Sequence, residues 1–180
     1  MESIACKKLS KTYSDGKKAL KNITFSFKGN GIISFIGKNG AGKTTLIRIL
    51  STELMPTSGS VIMNDIDIIK NPELIRDRIA IVPQEARAIQ WLTPKQTITS
   101  YLMYRGFGFI ESQKKANEAF KKVLLNSQIN KINRILSGGT KRKVLVATVI
   151  SSGAKIIFLD EPTTGLDPIS RNELWEVISN

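Results

Sequence analysis

One glycine-rich segment of this 180-residue chain limits its possible folds more than any other feature. Residues 37–44 read GKNGAGKT and match the pattern G-x-x-x-x-G-K-[ST] at every fixed position. The apolar run at residues 31–36 predicts a buried strand before the segment, and residues 43–51 predict a helix after it. The sequence therefore predicts a strand, a phosphate-binding loop and a helix in direct succession, which is a core unit of α/β folds.

The residue types in this loop have the chemistry to hold a triphosphate. Glycines let backbone N–H groups turn toward phosphate oxygens, and the following helix presents the positive end of its dipole to the same anion. Lys43 can reach the outer phosphates, and the Thr44 hydroxyl is an oxygen ligand of the kind that Mg²⁺ prefers. We predict that Mg²⁺ and a nucleoside triphosphate bind here, at Gly37, Asn39, Gly40, Gly42, Lys43, Thr44 and Thr45.

A second candidate site follows another apolar strand. Residues 156–159 (IIFL) predict a buried strand, and Asp160 and Glu161 come directly after it. Ligands of open α/β sheets bind at the carboxyl ends of the strands, so we expect this pair beside the phosphates. Asp160 is then placed to hold Mg²⁺, directly or through water, and Glu161 to orient an attacking water as a catalytic residue. The pair predicts hydrolysis of the nucleotide.

The rest of the chain predicts an α/β fold with a substantially parallel central sheet, because short strand-like runs alternate with longer helical ones. Residues 18–27 and 59–63 predict strands of a smaller sheet, and residues 79–82 predict a further strand. Residues 97–104 and 111–125 have helical patterning and predict a helical insert between two parts of the core. The length fits one domain.

The net charge of +12 raises the question of nucleic-acid binding. The excess is regional, because residues 81–150 contain twelve Lys and Arg against three Asp and Glu, whereas residues 151–180 contain two against five. Short basic runs such as residues 141–143 (KRK) fit solvated helix faces, and a partner surface is the alternative. We expect no nucleic-acid partner.

Composition argues against several other classes of protein. The longest apolar runs are far shorter than the ~20 residues that span a bilayer, and the residues after Met1 do not resemble a secretory signal. The chain has one cysteine, Cys6, and no histidine, which excludes an internal disulfide and the usual zinc sites. We therefore expect a cytoplasmic location.

Shorter motifs accompany the two candidate sites. Residues 136–140 read LSGGT, with a serine placed as a helix N-cap and two glycines that leave backbone N–H groups open to a phosphate. Gln84 follows the strand predicted at 79–82, Tyr13 precedes the phosphate loop, and residues 165–167 (GLD) follow the acidic pair. In these motifs and their order, the chain resembles the nucleotide-binding domain of ABC transporters over essentially its full length.

The resemblance implies that the nucleotide is ATP and gives each motif a role. Tyr13 would stack on adenine, and Gln84 would sense the γ-phosphate and Mg²⁺ as both a catalytic residue and a metal ligand. The signature motif of one subunit contacts the ATP of another in this family, which assigns Ser137, Gly138 and Gly139 to ATP binding in a homodimer or heterodimer. Thr140 stands where glutamine is commoner.

The resemblance also implies a fold and a function. The fold is a P-loop NTPase with a parallel core sheet, a small antiparallel β-subdomain and an ABC-type helical insert at about residues 85–140 of a single domain, 1–180. The function is coupling ATP binding and hydrolysis to transport through separate transmembrane subunits, on the inner face of the cell membrane. The family's γ-phosphate-contacting histidine has no counterpart here, so we expect the C-terminal part of the domain to be missing.

Two alternative functions share the same ATP site. One is a soluble ABC ATPase that acts on nucleic acid or ribosomes, which only the charge of +12 favours. The other is a fragment that binds ATP without hydrolysing it, which the absence of histidine favours.

Overall fold

The computed structural model describes residues 1–122 and 128–179, which form two compact units. The first unit covers residues 1–80 and the second covers residues 81–180. The mixed α/β class predicted from the sequence is confirmed. Among the helices of these described residues, none has the length and apolar character that a membrane crossing needs.

The first unit contains a four-stranded antiparallel sheet. Its strands are β1 (Glu2–Thr12), β2 (Lys18–Gly29), β3 (Ser58–Met63) and β4 (Ile66–Asp67), in the order β2-β1-β3-β4. Ile4 of β1 lies opposite Phe27 on one side and Met63 on the other. The small sheet predicted from residues 18–27 and 59–63 is therefore confirmed, and β1 and β3 are its two inner strands.

A bulge in β1 explains an irregular apolar spacing. Ile4 and Cys6 are buried two residues apart, as a strand requires, but the next buried residue is Leu9. The register with β2 shifts between Cys6 and Leu9, and Lys8 between them has a positive φ of 50°. The extra residue keeps Leu9 on the buried face of the strand.

Two helices complete the first unit. α1 (Lys43–Leu50) begins at the end of the phosphate loop, as predicted from residues 43–51, and α2 (Glu73–Arg76) is a single short turn. Apolar residues of α1 recur at helical spacing, so that Leu46, Ile49 and Leu50 are buried. Burial of this apolar face holds α1 in place. The first turn of α1 contains Lys43 and Thr44, the last two residues of the phosphate loop.

The strand predicted at residues 31–36 is not formed, and this prediction is wrong. Ile32, Ile33 and Ile36 are 58%, 42% and 95% exposed, and residues 32–38 have no regular secondary structure. An apolar run becomes a strand only if a neighbouring strand takes up its backbone hydrogen bonds, and the four-stranded sheet does not include this segment. Within this segment, the Phe35 ring packs edge-on against the Phe25 ring of β2, with 5.6 Å between the ring centres.

The described residues of the second unit combine a short sheet with four α-helices. β5 (Ile79–Val82), which starts at the junction of the units, pairs with β6 (Ile156–Leu159). These strands were both predicted, and they form the part of the central sheet present in the described residues. The helices are α3 (Pro94–Tyr104), α4 (Phe109–Lys122), α5 (Gly138–Ser151) and α6 (Pro168–Ser179).

The predicted helical insert is present as α3 and α4, although residues 123–125 of its second segment lie outside the described residues. α3 begins with a capping box in which the Thr93 hydroxyl accepts from the Gln96 N–H and the Gln96 side chain accepts from the Thr93 N–H. The three helices α3, α4 and α5 enclose one apolar cluster, formed by Ile98, Leu102, Ala116, Ala119, Phe120, Leu136, Val144 and Ala147. This cluster connects the insert to the first turns of α5.

Candidate functional site

The phosphate loop of the first unit depends on glycine at the start of α1. Gly42 is the N-cap of α1 and has φ 92°, a left-handed conformation that side chains rarely adopt. A Cβ there would collide with the Ala19 carbonyl oxygen and lie 2.8 Å from Leu20 Cδ2. The N-cap residue Gly42 makes no side-chain cap, and the positive end of the α1 dipole lies at the phosphate loop, where it favours an anion.

The ammonium group of Lys43 is hydrogen-bonded to the backbone of its own loop. Its Nζ donates hydrogen bonds to the Gly37 carbonyl at 2.9 Å and the Lys38 carbonyl at 3.1 Å. Asn39 and Gly40 form the turn between those carbonyls and the helix. The lysine therefore folds back over its own loop, where an anion held by the loop would meet a positive charge.

Tyr13 is hydrogen-bonded to the first turn of α1. Its hydroxyl makes a 3.1 Å hydrogen bond with the Thr45 hydroxyl, and Thr45 directly follows the predicted magnesium ligand Thr44. Lys11 Nζ lies 5.5 Å from the centre of the Tyr13 ring. The structure thus brings together the predicted aromatic residue and the predicted phosphate loop, although they are separated by more than 20 residues in sequence.

The second unit brings together three of the predicted residues at the ends of β5 and β6. The Asp160 N–H donates to the Val82 carbonyl at 3.0 Å, which extends the pairing of the two strands by one residue. Asp160 is 2% exposed. Gln84 Nε2 donates to Glu161 Oε2 at 3.0 Å, across a sequence separation of 77 residues. The sequence identified both residues but gave no indication of this direct bond.

Glu161 has a second donor and an unusual backbone. The Thr164 hydroxyl donates to the same Oε2 atom at 3.0 Å. The φ of Glu161 is 46°, in the left-handed region that costs a non-glycine residue about 1–3 kcal/mol. Strained backbone of this kind clusters at functional sites, where the surrounding structure holds it in place. The carboxylate is therefore fixed in position by two loops, and the Thr164 contact was not predicted.

The signature segment begins α5. Ser137 is the N-cap, as predicted, because its hydroxyl accepts from the Thr140 N–H at 3.1 Å. Gly138 is exposed, and a Cβ added to it would meet no atom within 4 Å. Gly139 is buried against α6, where a Cβ would lie 2.8 Å from Ser170 Cβ and would collide with Ser170 Oγ. Of the two glycines, Gly138 has the free space that a ligand needs and Gly139 permits close helix packing.

The solvated helix face predicted for residues 141–143 is wrong for two of its members. Arg142 is half-buried and donates to the backbone carbonyls of Gln84 and Glu161. Lys143 is 8% exposed, and its ammonium group lies 2.6 Å from a carboxylate oxygen of Glu173 in α6. A run of basic residues has the same pattern whether it faces water or buried carbonyls, so the sequence contained no signal for these partners.

A cavity of about 540 Å³ opens beside these groups in the second unit. Its walls include Gln84, Glu161, Thr164, Gly138 and Arg142. The cavity therefore joins the predicted glutamine, the predicted catalytic glutamate and the exposed glycine of the signature segment at one surface.

Comparison with known proteins identifies the family of this chain. A family model described as "ABC transporter" matches residues 20–164. The chain is 35% identical over 163 residues to the retinal-specific phospholipid-transporting ATPase ABCA4 of Mus musculus, a match that covers 91% of this chain and 7% of that protein. It is 33% identical over 171 residues to the doxorubicin resistance ATP-binding protein DrrA of Mycobacterium tuberculosis, which covers 94% of this chain and 52% of that protein.

Solved structures agree with the sequence comparison. The ATP-binding cassette MJ0796, solved as a dimer in a post-hydrolysis state bound to ADP and Pi, matches with a TM-score of 0.85 and 28% identity, over 97% of this chain and 81% of that chain. The chain spans about half or less of the curated relatives described above. The family match covers most of the chain and includes the phosphate loop and the acidic pair. This chain belongs to the ABC transporter family and is an ATP-binding cassette of that family.

Proposed function

We propose that this chain binds ATP with Mg²⁺ at the phosphate loop and hydrolyses it with the help of Glu161, and that this hydrolysis drives a membrane transporter. The observation that carries the proposal is the placement of the Glu161 carboxylate at the end of β6, held by Gln84 and Thr164. A carboxylate fixed by two neutral donors remains an acceptor that can orient a water molecule.

The first unit supplies the binding part of this function. Backbone N–H groups at the start of α1 and the Lys43 ammonium group form a donor set that fits the oxygens of a triphosphate. Lys43 would exchange its two loop carbonyls for phosphate oxygens when the nucleotide binds, because a phosphate oxygen carries negative charge and a backbone carbonyl does not. Tyr13, held by Thr45, would stack on the adenine.

The residues proposed for Mg²⁺ have suitable chemistry. The Thr44 hydroxyl, the Asp160 carboxylate and the Gln84 side-chain carbonyl offer oxygen atoms, which are the ligands this hard cation prefers. Few protein ligands are needed, because Mg²⁺ keeps several waters and is commonly shared with substrate phosphates. When bound, the ion would neutralise charge that develops on the phosphates. Glu161 would then align the attacking water, and Gln84 would hold Glu161.

We further propose a dimer in which ATP is shared between two cassettes. Ser137 caps α5, and Gly138 beside it is open to solvent, so that the positive end of the α5 dipole is accessible to a phosphate of a second molecule. Two of the similar solved structures are described as dimers, which supports the same assembly for this chain.

The exposed apolar residues around α3 and α4 are the surface we assign to the transmembrane partner. Trp91 is 77% exposed, Tyr104 87% and Ile110 85%, and burial of such large apolar side chains against a partner would be favourable. Replacement of Trp91 by Ser should lower the fraction of the chain that sediments with membranes containing its partner, with unchanged ATP turnover. Sedimentation equal to that of the wild type would argue against this surface.

The direct test of the proposal is a measurement of phosphate release from ATP by the purified chain, with Mg²⁺ and with excess chelator. We expect Mg²⁺-dependent release that saturates with ATP. A chain that binds ATP but releases no phosphate would instead support the alternative of an ATP-binding protein without hydrolysis. The comparisons and the site contain no observation that favours a function on nucleic acid, so no second function is proposed.

A further inference from the structure

Arg142 of α5 contacts two loops that are far apart in sequence. Its guanidinium group donates to three carbonyls of the acidic loop, with distances of 3.0 Å to Asp160, 3.2 Å to Glu161 and 3.0 Å to Pro162. It also donates to two carbonyls of the segment after β5, at 3.4 Å to Pro83 and 3.4 Å to Gln84. The side chain thus connects α5, the helix that Ser137 caps, with both loops of the proposed hydrolysis site.

The geometry depends on the shape of the arginine side chain. All three guanidinium nitrogens take part in these bonds. A guanidinium group offers five N–H donors in a rigid plane, whereas a lysine offers three donors on one nitrogen atom. One ammonium group could not reach carbonyls on both loops from the same position, so lysine is not an equivalent residue here.

We propose that Arg142 is a positioning residue for ATP hydrolysis, which holds the Gln84 loop and the Glu161 loop in register so that their side chains meet. The inference rests on the proposed function of Glu161 and adds a residue to it. Arg142 touches the backbone of both loops and neither of the proposed reacting groups. Its effect on catalysis is transmitted through the 3.0 Å bond between Gln84 Nε2 and Glu161 Oε2.

The strained backbone of Glu161 shows why such a residue is needed. A left-handed φ of 46° is unfavourable for glutamate, so the loop requires contacts that over-determine its conformation. Arg142 provides these contacts at three consecutive carbonyls, those of Asp160, Glu161 and Pro162. Without them, the loop is expected to relax and move the Glu161 carboxylate away from Gln84.

The charge of Arg142 is compatible with this role. Burial lowers the pKa of its guanidinium group, and the negative charge of Asp160 raises it. A guanidinium group is effectively always charged in proteins and has only donors, which suits contacts to backbone carbonyls.

The test compares Arg142→Met and Arg142→Lys with Arg78→Met, which removes an exposed arginine elsewhere in the chain. Amide hydrogen exchange of the wild type and the variants, without nucleotide, measures the order of residues 83–86 and 160–166. We expect exchange at both segments to rise about 5–10-fold in the two Arg142 variants, in keeping with the ~1 kcal/mol net value of a hydrogen bond. The Arg78→Met variant should match the wild type.

Kinetics with Mg-ATP provide the second measurement. We expect kcat to fall at least ~10-fold in both Arg142 variants with KM for ATP within about twofold, because a misplacement of about 1 Å can cost ~100-fold in rate. Failure of Arg142→Lys to restore kcat separates positioning by a planar fork from a simple charge effect. Arg142→Lys also provides the readout if Arg142→Met does not fold.

The outcomes distinguish this inference from the proposed function. Unchanged exchange at both segments in Arg142→Lys and Arg142→Met would overturn the inference, as would a kcat equal to that of the wild type. If the wild-type chain releases no phosphate, the proposed hydrolysis fails. The exchange measurement then still decides whether Arg142 holds the two loops.

Discussion

The phosphate loop at residues 37–44 and the acidic loop at residues 160–164 are held in place by different means. The phosphate loop is organised by contacts that are near in sequence, such as Lys43 to the Gly37 carbonyl six residues away. The acidic loop is organised by side chains from distant segments, because Gln84 is 77 residues from Glu161 and Arg142 is 59 residues from Pro83.

The difference shows which kind of site a sequence motif can specify. In the phosphate loop the conformation follows from a few glycines and one lysine, so a short pattern contains nearly all the information. In the acidic loop each residue type is ordinary, and Glu161, with its strained φ, accepts hydrogen bonds from Arg142 and Thr164. We therefore expect the first site to respond to local changes and the second to respond to changes far away in sequence.

The largest expected effect is on hydrolysis in Glu161→Gln. This change keeps the shape of the side chain but removes the charge that orients the attacking water, so phosphate release should fall about 100–10,000-fold. ATP affinity should remain within about threefold of the wild type, since the triphosphate is held by the other loop. The hydrolysis rate is measured as phosphate release, and the ATP affinity is measured by titration with a fluorescent ATP analogue.

The matched control for this variant is Glu176→Gln, which neutralises an exposed glutamate of α6. It should turn over ATP at the wild-type rate. Equal activity of the Glu161→Gln variant and the control would remove Glu161 from the catalytic role and with it the contrast between the two loops.

The next largest effect is on ATP affinity in Lys43→Met. Loss of a charge-assisted contact of about 1.5–3 kcal/mol predicts a rise in the dissociation constant of ~10–100-fold. Lys21→Met, which removes an exposed lysine of β2, should bind ATP normally. Titration of both variants checks this, and an unchanged affinity in Lys43→Met would show that the loop binds through its backbone alone.

The sequence predicted most elements and failed where tertiary contacts decide the conformation. Helix α1 and strand β6 lie where the motifs placed them, because the apolar pattern of each agrees with the loop motif beside it. The apolar run at residues 31–36 predicted a strand, but strand formation requires pairing partners that the pattern does not contain. The partners of half-buried Arg142 and buried Lys143 were missed for a related reason, since the pattern of a basic run does not indicate burial.

Two glycines of the phosphate loop separate its local backbone conformation from its contact with β2. Gly40→Ala meets only the conformational cost of φ 78°, because there is open space around it, and should lose about 1–2 kcal/mol of unfolding free energy. Gly42→Ala adds a collision with the Ala19 carbonyl, so its loss should exceed that of Gly40→Ala by about 1–3 kcal/mol. Urea unfolding measures both, and equal losses would contradict the close approach of β2 to the loop.

The smallest expected effect concerns the start of α6. Asp167 accepts from the Ser170 N–H at 3.0 Å, and hydrogen bonds from Ser170 lower the pKa of its carboxyl group below the usual 3.8. Its contribution to stability is therefore present above pH 3.8 and is lost as the pH falls through the lower folded-state pKa. Asp167→Asn should be slightly less stable than the wild type at pH 7, and the difference should shrink below pH 3.8. A difference that grows on acidification would have the wrong sign.

We propose that this chain binds ATP at its own phosphate loop and uses Ser137 to contact ATP held by a second cassette. Sedimentation velocity of the Glu161→Gln chain with Mg-ATP, beside the same chain with Ser137→Arg added, distinguishes the two contacts. We expect an ATP-dependent dimer for the first chain, and a monomer with unchanged ATP affinity for the second. A Glu161→Gln chain that remains monomeric with ATP bound, or a Ser137→Arg change that abolishes ATP binding itself, would contradict it.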